Sequence, residues 1–308
     1  MKKILKWIKR ILISIIGLII VLMIGLYVTF FFWKKDAISD LPKNSLVIDT
    51  DKGQVEYTLT GNSDKYMLFV HGSPGSVFVE ESKPFVDKGF TVLAISRPGY
   101  YKTPLTSGET PREQAALYKS LLNELKIDSI YVNGLSGGGP SSIQFALDYP
   151  ERTAGLILRA AVSEKIVMEN SEKGLVDSFF ETEFGTWLGI QIAITQVDDE
   201  TTKRINYVIK RGMFPRELSN EGYKNDNNQF AVLKDFPLEK ITVPTIILHG
   251  NKDDNVPFSF AQNASKRIPN ATLFEMKGKD HFVFITSYRD TINNEIIRFV
   301  DNIETNKK

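Results

Sequence analysis

The sequence SIYVNGLSGGGPSSIQFALDYP, residues 129–150, joins an apolar strand-like run, a glycine-rich turn and a helix-like segment. Within it, Gly134, Ser136 and Gly138 form a G-x-S-x-G pattern where the strand gives way to the helix. A sharp turn of this kind strains the backbone of its serine, and glycines two residues away leave room for the crowding. The pattern predicts that Ser136 projects a nucleophilic hydroxyl from a sheet edge, beside a Gly137 N–H that can stabilise an oxyanion.

Strand-like and helix-like segments alternate on both sides of this turn. Helices are predicted at residues 111–125, 137–149, 258–267 and 288–303. The alternation predicts an α/β protein with a mostly parallel, doubly wound sheet that binds ligands at the carboxyl ends of its strands. The predicted strands are a hairpin in SLVIDTDKGQVEYTLTG and the runs YMLFVHG, FTVLAIS, SIYVNG, AGLILRAAV, VPTIILHG and ATLFEMKG.

One stretch, residues 163–238, breaks the alternation because its apolar residues have mixed helical spacing and form no strand-length run. This pattern predicts a helical insertion between two strands of the sheet. Such an insertion would cover the site as a lid.

The N-terminal part of the chain carries a separate signal. Residues 11–33, ILISIIGLIIVLMIGLYVTFFFW, contain no charge and would form a helix about 34 Å long, enough to cross a hydrocarbon core of about 30 Å. Residues 1–10 contain five basic residues and no acid. The bias of positive charge predicts a single-pass protein of the cell membrane, with residues 1–10 in the cytoplasm and the domain outside it.

Two other interpretations of this segment are a cleaved signal peptide and a buried core helix. The apolar region of a signal peptide is usually about 7 to 15 residues long and ends in small residues, whereas this one ends in TFFFWKKD. A core helix would have a polar face toward water, and none is present. We therefore expect an uncleaved signal anchor, a polar linker at residues 34–44 and a domain at residues 45–308.

The composition limits the possible chemistry. The 308 residues include 38 Lys or Arg, 37 Asp or Glu and no Cys. The lack of cysteine excludes disulfides, zinc–thiolate sites and a cysteine nucleophile. The near-neutral net charge argues against nucleic acid as a partner.

A serine nucleophile needs a base, and the chain has three histidines: His71, His249 and His281. His71 and His249 each end a predicted strand and precede a glycine turn. His281, in KGKDHF, follows the last predicted strand in a loop at the correct edge of the sheet. We therefore predict that His281 is the general base.

Two more turns at this edge offer the remaining groups. Asp253 and Asp254 follow the strand that ends near His249, and either carboxylate could fix the tautomer of the base and stabilise its imidazolium. In HGSPG, residues 71–75, glycine lets the backbone pass close to the serine turn. This approach would present the Ser73 N–H as a second oxyanion donor.

Four motifs, HGSPG, GLSGG, G-x-x-D-x-x-V-P and G-x-x-H, occur in an order that resembles the α/β-hydrolase fold family, over roughly residue 54 to the C-terminus. The resemblance implies an α/β-hydrolase domain with Ser136 as nucleophile, Asp253 as acid and His281 as base. It also implies an oxyanion hole formed by the amides of Ser73 and Gly137. It implies no metal and no organic cofactor.

Within this family, HGSPG followed by SRPGY is most similar to prolyl-iminopeptidase-like enzymes and related esterases. Ser96 stands where that pattern has aspartate and Tyr101 where it has glycine, which weighs against a peptidase assignment. A serine at the nucleophile position also speaks against haloalkane dehalogenase or epoxide hydrolase chemistry.

The sequence thus predicts a membrane-anchored serine hydrolase that cleaves an ester or amide of a small acyl substrate. Three alternatives stay open: a proline-type aminopeptidase, an acyltransferase with the same acyl-enzyme, and a non-catalytic binding protein. Acids in or near the lid could bind an amino group or form a solvated helix face; they are Glu164, Glu169, Glu172, Glu181 and Glu183. Aromatic residues there could line an acyl pocket or form the lid core; they are Phe179, Phe180, Phe184 and Trp187. The sequence leaves the oligomeric state and the physiological substrate open.

Overall fold

A computed structural model describes residues 2–78, 82–166 and 174–306 of the chain. The chain divides into two compact units. The larger unit comprises Pro42–Ser171 and Val197–Lys308, and the smaller comprises Met1–Leu41 and Glu172–Gln196.

Within the described residues, the larger unit contains eight strands: β1 (Leu46–Thr50), β2 (Gly53–Thr60), β3 (Tyr66–Val70), β4 (Thr91–Ile95), β5 (Ile130–Leu135), β6 (Thr153–Arg159), β7 (Thr245–Gly250) and β8 (Ala271–Met276). They form one sheet in the order β1-β2-β4-β3-β5-β6-β7-β8. The β1–β2 hairpin pairs antiparallel and β2 joins β4 antiparallel, whereas β3 to β8 are parallel. The predicted mostly parallel α/β sheet is confirmed.

The α-helices of the described residues also follow the predicted pattern. The helix predicted from residue 111 begins there, because Thr110 and Glu113 form a capping box that satisfies backbone N–H groups of the first turn. The helices are α1 (Lys2–Ser39), α2 (Lys83–Val86), α3 (Pro111–Glu124), α4 (Gly139–Asp148), α5 (Leu175–Phe180), α6 (Glu183–Ala193), α7 (Asp199–Val208), α8 (Asn220–Val232), α9 (Phe258–Arg267) and α10 (Arg289–Asn306).

Two apolar cores lie on the two faces of the sheet. Successive side chains of a strand point to opposite faces, so Leu68 and Val70 of β3 join one core while Met67 and Phe69 join the other. Side chains of α3, α4 and α9 complete the first core, and those of α2 and α10 complete the second. Because both faces are covered, the central strands are continuous apolar runs.

The predicted insertion at residues 163–238 is helical, with no strand among its described residues. It is divided between the two units: α5 and α6 belong to the smaller unit, whereas α7 and α8 belong to the larger. The sequence did not predict this division.

Helix α1 extends beyond the predicted segment 11–33. It continues through Ser39, so the residues expected to form a polar linker, 34–44, are helical in their first part. Lys, Asp, Ala and Ile can continue a helix here, and the chain reaches its first proline only at Pro42. By length and composition, α1 is the one helix among the described residues that could cross a membrane.

A buried ion pair joins α8 to the end of β4. Both guanidinium NH groups of Arg97 donate to the Asp226 carboxylate, at 2.8 and 2.5 Å. Arg97 also donates to the backbone carbonyls of His71 and Gly72, at 2.9 and 3.2 Å. Both charged side chains are almost fully buried. Loss of one partner would therefore leave an uncompensated charge inside the protein.

We expect Arg97→Met to destabilise the larger unit by about 3–5 kcal/mol, because Asp226 would remain buried without its partner. The double variant Arg97→Met/Asp226→Leu should recover part of this loss. The measurement is urea unfolding of the full chain in detergent. Lys83→Met breaks the exposed Lys83–Asp87 pair and serves as the control. A double variant no more stable than Arg97→Met would contradict the prediction.

Candidate active site

Ser136 lies at the turn between β5 and α4. A short 3-10 segment, Ser136–Gly138, connects the two elements, and Ser136 has a φ of 49°. This left-handed conformation is uncommon for a residue with a side chain and costs free energy, which the surrounding structure must supply. The N–H of Val162 donates to the Ser136 carbonyl at 3.0 Å and helps to hold the turn.

Gly134 and Gly138 leave room for this turn, as the sequence predicted. A Cβ placed on Gly138 would lie 2.5 Å from the carbonyl oxygen of Val70. A Cβ placed on Gly134 would overlap the hydroxyl of Ser142 and lie 2.8 Å from its Cβ. Neither separation is compatible with a side-chain carbon, so the serine turn can pack against β3 and α4 only with glycine at both positions.

His281 lies within hydrogen-bonding distance of both Ser136 and Asp253. Its Nε2 is 3.1 Å from the Ser136 Oγ, and its Nδ1 is 2.7 Å from Oδ2 of Asp253. Because the carboxylate is an acceptor, Nδ1 carries the proton of the neutral imidazole. Nε2 is then free to accept the serine proton, which is the geometry of a nucleophile, a base and an orienting acid.

The buried carboxylate at this edge belongs to Asp253, whereas Asp254 is exposed. The second oxygen of Asp253, Oδ1, accepts the backbone N–H groups of Asn255 and Val256, at 3.0 and 2.8 Å. Burial alone would raise the pKa of Asp253, but hydrogen bonds from His249, His281 and the Val256 N–H outweigh it and lower the pKa well below its usual range. Asp253 is therefore an anion at neutral pH.

His249 is the residue at this site that the sequence did not reveal. From the sequence it is only a candidate base, whereas its buried ring contacts Asp253. Its Nε2 is 3.2 Å from Oδ2 of Asp253 and 2.9 Å from the Val256 carbonyl, so the Nε2–H is shared between these two acceptors. The available signal was its position at the end of β7, four residues before Asp253.

His71, which the sequence does not assign as the base, makes hydrogen bonds to the backbone. Its Nδ1–H donates to the Gly72 carbonyl at 2.7 Å, and its Nε2 accepts the Arg97 N–H at 2.9 Å. Burial, reinforced by the nearby Arg97 charge, lowers the pKa of His71 well below its ordinary value. His71 is therefore a neutral group that fixes the backbone between β3 and the following turn.

The two predicted oxyanion donors, Ser73 and Gly137, are adjacent. A Cβ placed on Gly137 would lie 3.2 Å from the backbone nitrogen of Ser73 and 2.7 Å from its Cβ. The Gly137 N–H is in the first turn of the 3-10 segment, where no earlier carbonyl of that helix can accept it. The structure thus brings both amides to the serine turn.

A buried chain of hydroxyl groups links Ser73 to α8. The Tyr100 hydroxyl donates to the Asp226 carboxylate at 2.5 Å and accepts the Ser73 hydroxyl at 2.9 Å. Burial, together with the Asp226 charge, raises the pKa of Tyr100 well above its usual value, so it remains a neutral donor. Neither Tyr100 nor Asp226 was singled out from the sequence, because no motif marks their contact.

An apolar cluster adjoins the serine turn. Phe230 of α8 lies beside Gly137, because a Cβ placed on that glycine would be 3.1 Å from the Phe230 ring. Phe230 packs with Val162, Val256 and Phe260. The group next to the serine is therefore apolar, and Phe230 is the aromatic member that lies beside Gly137. The candidates Phe179, Phe180, Phe184 and Trp187 belong to the smaller unit and pack with one another.

The acids considered for binding an amino group do not form a common cluster among the described residues. Glu164 accepts a hydrogen bond from Asn263 at 2.9 Å, and Glu183 pairs with Lys34 at 2.5 Å. Glu181 is exposed. Glu169 and Glu172 lie outside the described residues. Within the described residues, no group of three or more His, Asp or Glu could hold a metal ion.

The two departures from the peptidase-like pattern have local explanations. Ser96 is buried, and its hydroxyl donates to the buried carboxylate of Glu56 at 2.8 Å, so a strand residue brings a negative charge beside position 96. Tyr101 has a φ of 51°, in the region that glycine adopts most easily. Its hydroxyl donates to the Arg211 carbonyl at 2.7 Å.

The chain is similar to known hydrolases. Residues 65–288 match the model of the alpha/beta hydrolase fold family. A Bacillus subtilis (strain 168) protein named uncharacterized hydrolase YcgS is 28% identical, over 77% of this chain and 92% of its own. A 2-hydroxy-6-oxononadienedioate/2-hydroxy-6-oxononatrienedioate hydrolase of Pseudomonas putida is 25% identical, over 80% and 91%.

Solved structures show the same fold. An alpha/beta hydrolase fold protein from Nakamurella multipartita is 28% identical with a TM-score of 0.69, covering 83% of this chain and 98% of its own. An esterase from Exiguobacterium antarcticum is 19% identical with a TM-score of 0.64, over 83% and 98%, and this likeness concerns the fold alone.

We expect Asp253→Asn to lower kcat by about 10⁴-fold, because an amide cannot hold the His281 tautomer or stabilise its imidazolium.

The free energy of unfolding of the wild type should fall as the pH drops below about 4. The unfolded carboxyl group binds a proton there before the folded one does, because the folded pKa is lowered. Urea unfolding between pH 6 and pH 3 should show a smaller decline for Asp253→Asn, and an identical decline would contradict this.

We expect His249→Phe to lower kcat by about tenfold to a hundredfold, because Asp253 would lose one donor to a charged oxygen. KM should change little, since His249 orients the acid and does not contact substrate. His249→Gln keeps an N–H donor and is the matched control, with activity closer to the wild type. Equal kcat values for the two variants would show that the hydrogen bond does not matter.

Proposed function

The chain belongs to the α/β-hydrolase fold family and is an enzyme of the hydrolase class, and from this premise we propose that it is a membrane-anchored serine hydrolase. Its proposed reaction is the cleavage of an ester or amide of an acyl substrate through an acyl-enzyme on Ser136. The observation that carries the proposal is the continuous hydrogen-bonded path from Ser136 through His281 to the buried Asp253.

The first half of the reaction forms the acyl-enzyme. The Ser136 oxygen attacks the substrate carbonyl carbon while Nε2 of His281 takes the hydroxyl proton. Asp253 stays ionised and stabilises the imidazolium. The N–H groups of Ser73 and Gly137 donate to the oxyanion of the tetrahedral intermediate. The imidazolium then returns its proton to the leaving alcohol or amine as the carbon–oxygen or carbon–nitrogen bond breaks.

The second half releases the acid product. Water attacks the acyl carbon as Nε2 of His281 takes one of its protons, and the same two amides hold the second oxyanion. When the intermediate collapses, the proton moves to the Ser136 oxygen and the carboxylic acid leaves. The enzyme is then unchanged, and the net reaction adds one water across the ester or amide bond.

The N-terminal helix supports the proposed location at the cell membrane. The uncharged segment 11–33 exposes large apolar side chains along its length, as a surface in contact with lipid does. The basic residues before it favour a cytoplasmic N-terminus and a catalytic domain outside the cytoplasm. No described contact favours the aminopeptidase, acyltransferase or binding-protein alternatives.

A fluorophosphonate probe, which reacts with activated serines, tests the nucleophile directly. We expect it to label the wild type at Ser136 and to leave Ser136→Ala unlabelled. Hydrolysis of short acyl esters should fall at least about a thousandfold in Ser136→Ala and in His281→Ala. Ser265→Ala is the matched control, since this hydroxyl donates to the Gln262 carbonyl within its own helix, α9.

The substrate panel should contain short acyl esters, proline-terminated peptides and 2-hydroxy-6-oxononadienedioate, the last taken from the name of the Pseudomonas relative. Undiminished turnover in Ser136→Ala would reject the assigned nucleophile. Absence of both labelling and turnover in the wild type would favour a non-catalytic binding protein.

A further inference from the structure

The first half of the insertion and the N-terminal helix form one compact unit. Helices α5 and α6, residues 175–193, belong with α1 although residues 40–174 separate them along the chain. The contacts within this unit show what kind of surface it presents.

Aromatic rings of α6 pack against aromatic rings of α1. Phe184 packs against Tyr27 and Phe30, with ring centroids 5.3 and 5.7 Å apart. Trp187 packs against Phe30 and Trp33, at 5.6 and 6.2 Å. The partners on α1 all lie in the last two turns of the uncharged segment 11–33. Helix α6 is therefore bound where the predicted membrane span ends.

An ion pair between α1 and α6 lies next to these aromatic contacts. Lys34, directly after the uncharged segment, is 2.5 Å from the Glu183 carboxylate, and both side chains are partly buried. Glu183 is the only charged residue of α6, and it is neutralised there. The pair lies one residue beyond Trp33 on one side and one residue before Phe184 on the other.

Helix α6 has no charged residue after Glu183, whereas α5 carries Asp177. Residues 184–197, FGTWLGIQIAITQV, contain no acidic or basic side chain. Ile192 of α6 is 58% exposed, and Val176 and Phe180 of α5 are 68% and 43% exposed. A helix without a charged face is not suited to an aqueous surface, because its apolar area would remain in contact with water.

We propose that α5 and α6 lie in the interfacial layer of the bilayer, as a second membrane-contacting element of this hydrolase. This inference rests on the membrane anchoring in the proposed function and extends it. The occupant of the apolar surface is lipid, because that surface continues the lipid-facing surface of α1 within one compact unit. The proposed depth of α5 and α6 in the bilayer is the interfacial layer, because α6 contacts the end of the span. Tyrosine and tryptophan concentrate at this depth in membrane proteins.

A second copy of the chain is the competing occupant, and spin labels separate the two. The chain has no cysteine, so single-cysteine variants of the full protein can be labelled at chosen positions in liposomes. Test positions are Val176, Phe180 and Ile192. Val232 of α8 is the matched control, since the two valines Val176 and Val232 are 68% and 67% exposed. Ile20→Cys reports the membrane span itself.

The measurement is the accessibility of each label to oxygen, which concentrates in lipid, and to a water-soluble nickel chelate. We expect the ratio of oxygen to nickel accessibility at the three test positions to exceed that at Val232 several-fold, and Ile20 to give the highest ratio. Test positions equal to Val232 would overturn the proposal. Labels shielded from both reagents would also overturn it, since they would indicate contact with protein.

The result at Ile20 distinguishes the two proposals. A lipid-exposed label at Ile20 with water-exposed test labels would refute only the inference about α5 and α6. A water-exposed label at Ile20 would refute the anchoring as well. Ester hydrolysis by each labelled variant checks that the hydrolase domain is folded. If the unlabelled wild type shows no ester hydrolysis, that result contradicts the catalytic proposal alone.

Discussion

The left-handed backbone of Ser136 is the constraint on which the proposed site depends. A residue with a side chain adopts this conformation only when its surroundings hold it there. Gly134 and Gly138 supply those surroundings, because their missing side chains let the turn pack against β3 and α4. The same close packing brings Ser73 beside Gly137. One tight turn therefore positions the hydroxyl and both proposed oxyanion donors together.

The second requirement is a negative charge that stays in place at the edge of the sheet. A buried carboxylate is costly unless donors surround it, and Asp253 accepts hydrogen bonds from two imidazoles and two backbone amides. His249 comes from the end of β7 and His281 from the segment after β8. The anion thus connects two neighbouring strand ends, and its orientation is fixed from both sides.

Short-range sequence patterns predict much of the fold and the positions of Ser136 and His281. Strand periods, turn glycines and the capped helix α3 are encoded within a few residues, and the parallel-sheet rule then places Ser136 and His281 at one edge although they are 145 positions apart. The contact between His249 and Asp253 was not predictable, since it depends on side-chain direction at a strand end. The same holds for Asp226 and Arg97, whose pairing needs α8 docked on the sheet. The aromatic contacts between α6 and α1 join segments that sequence patterns had assigned to different parts of the protein.

The two parts of the insertion are held by different interactions. Helix α8 carries the bidentate Asp226–Arg97 pair, whose planar geometry permits little sliding. Because Phe230 lies on the same helix, the ion pair also fixes this ring beside Gly137. Helix α6 is held instead by aromatic packing against α1, in which Phe184 and Trp187 contact Tyr27, Phe30 and Trp33. The apolar cluster next to the serine, Phe230 with Val162, Val256 and Phe260, therefore depends in part on how α8 is held.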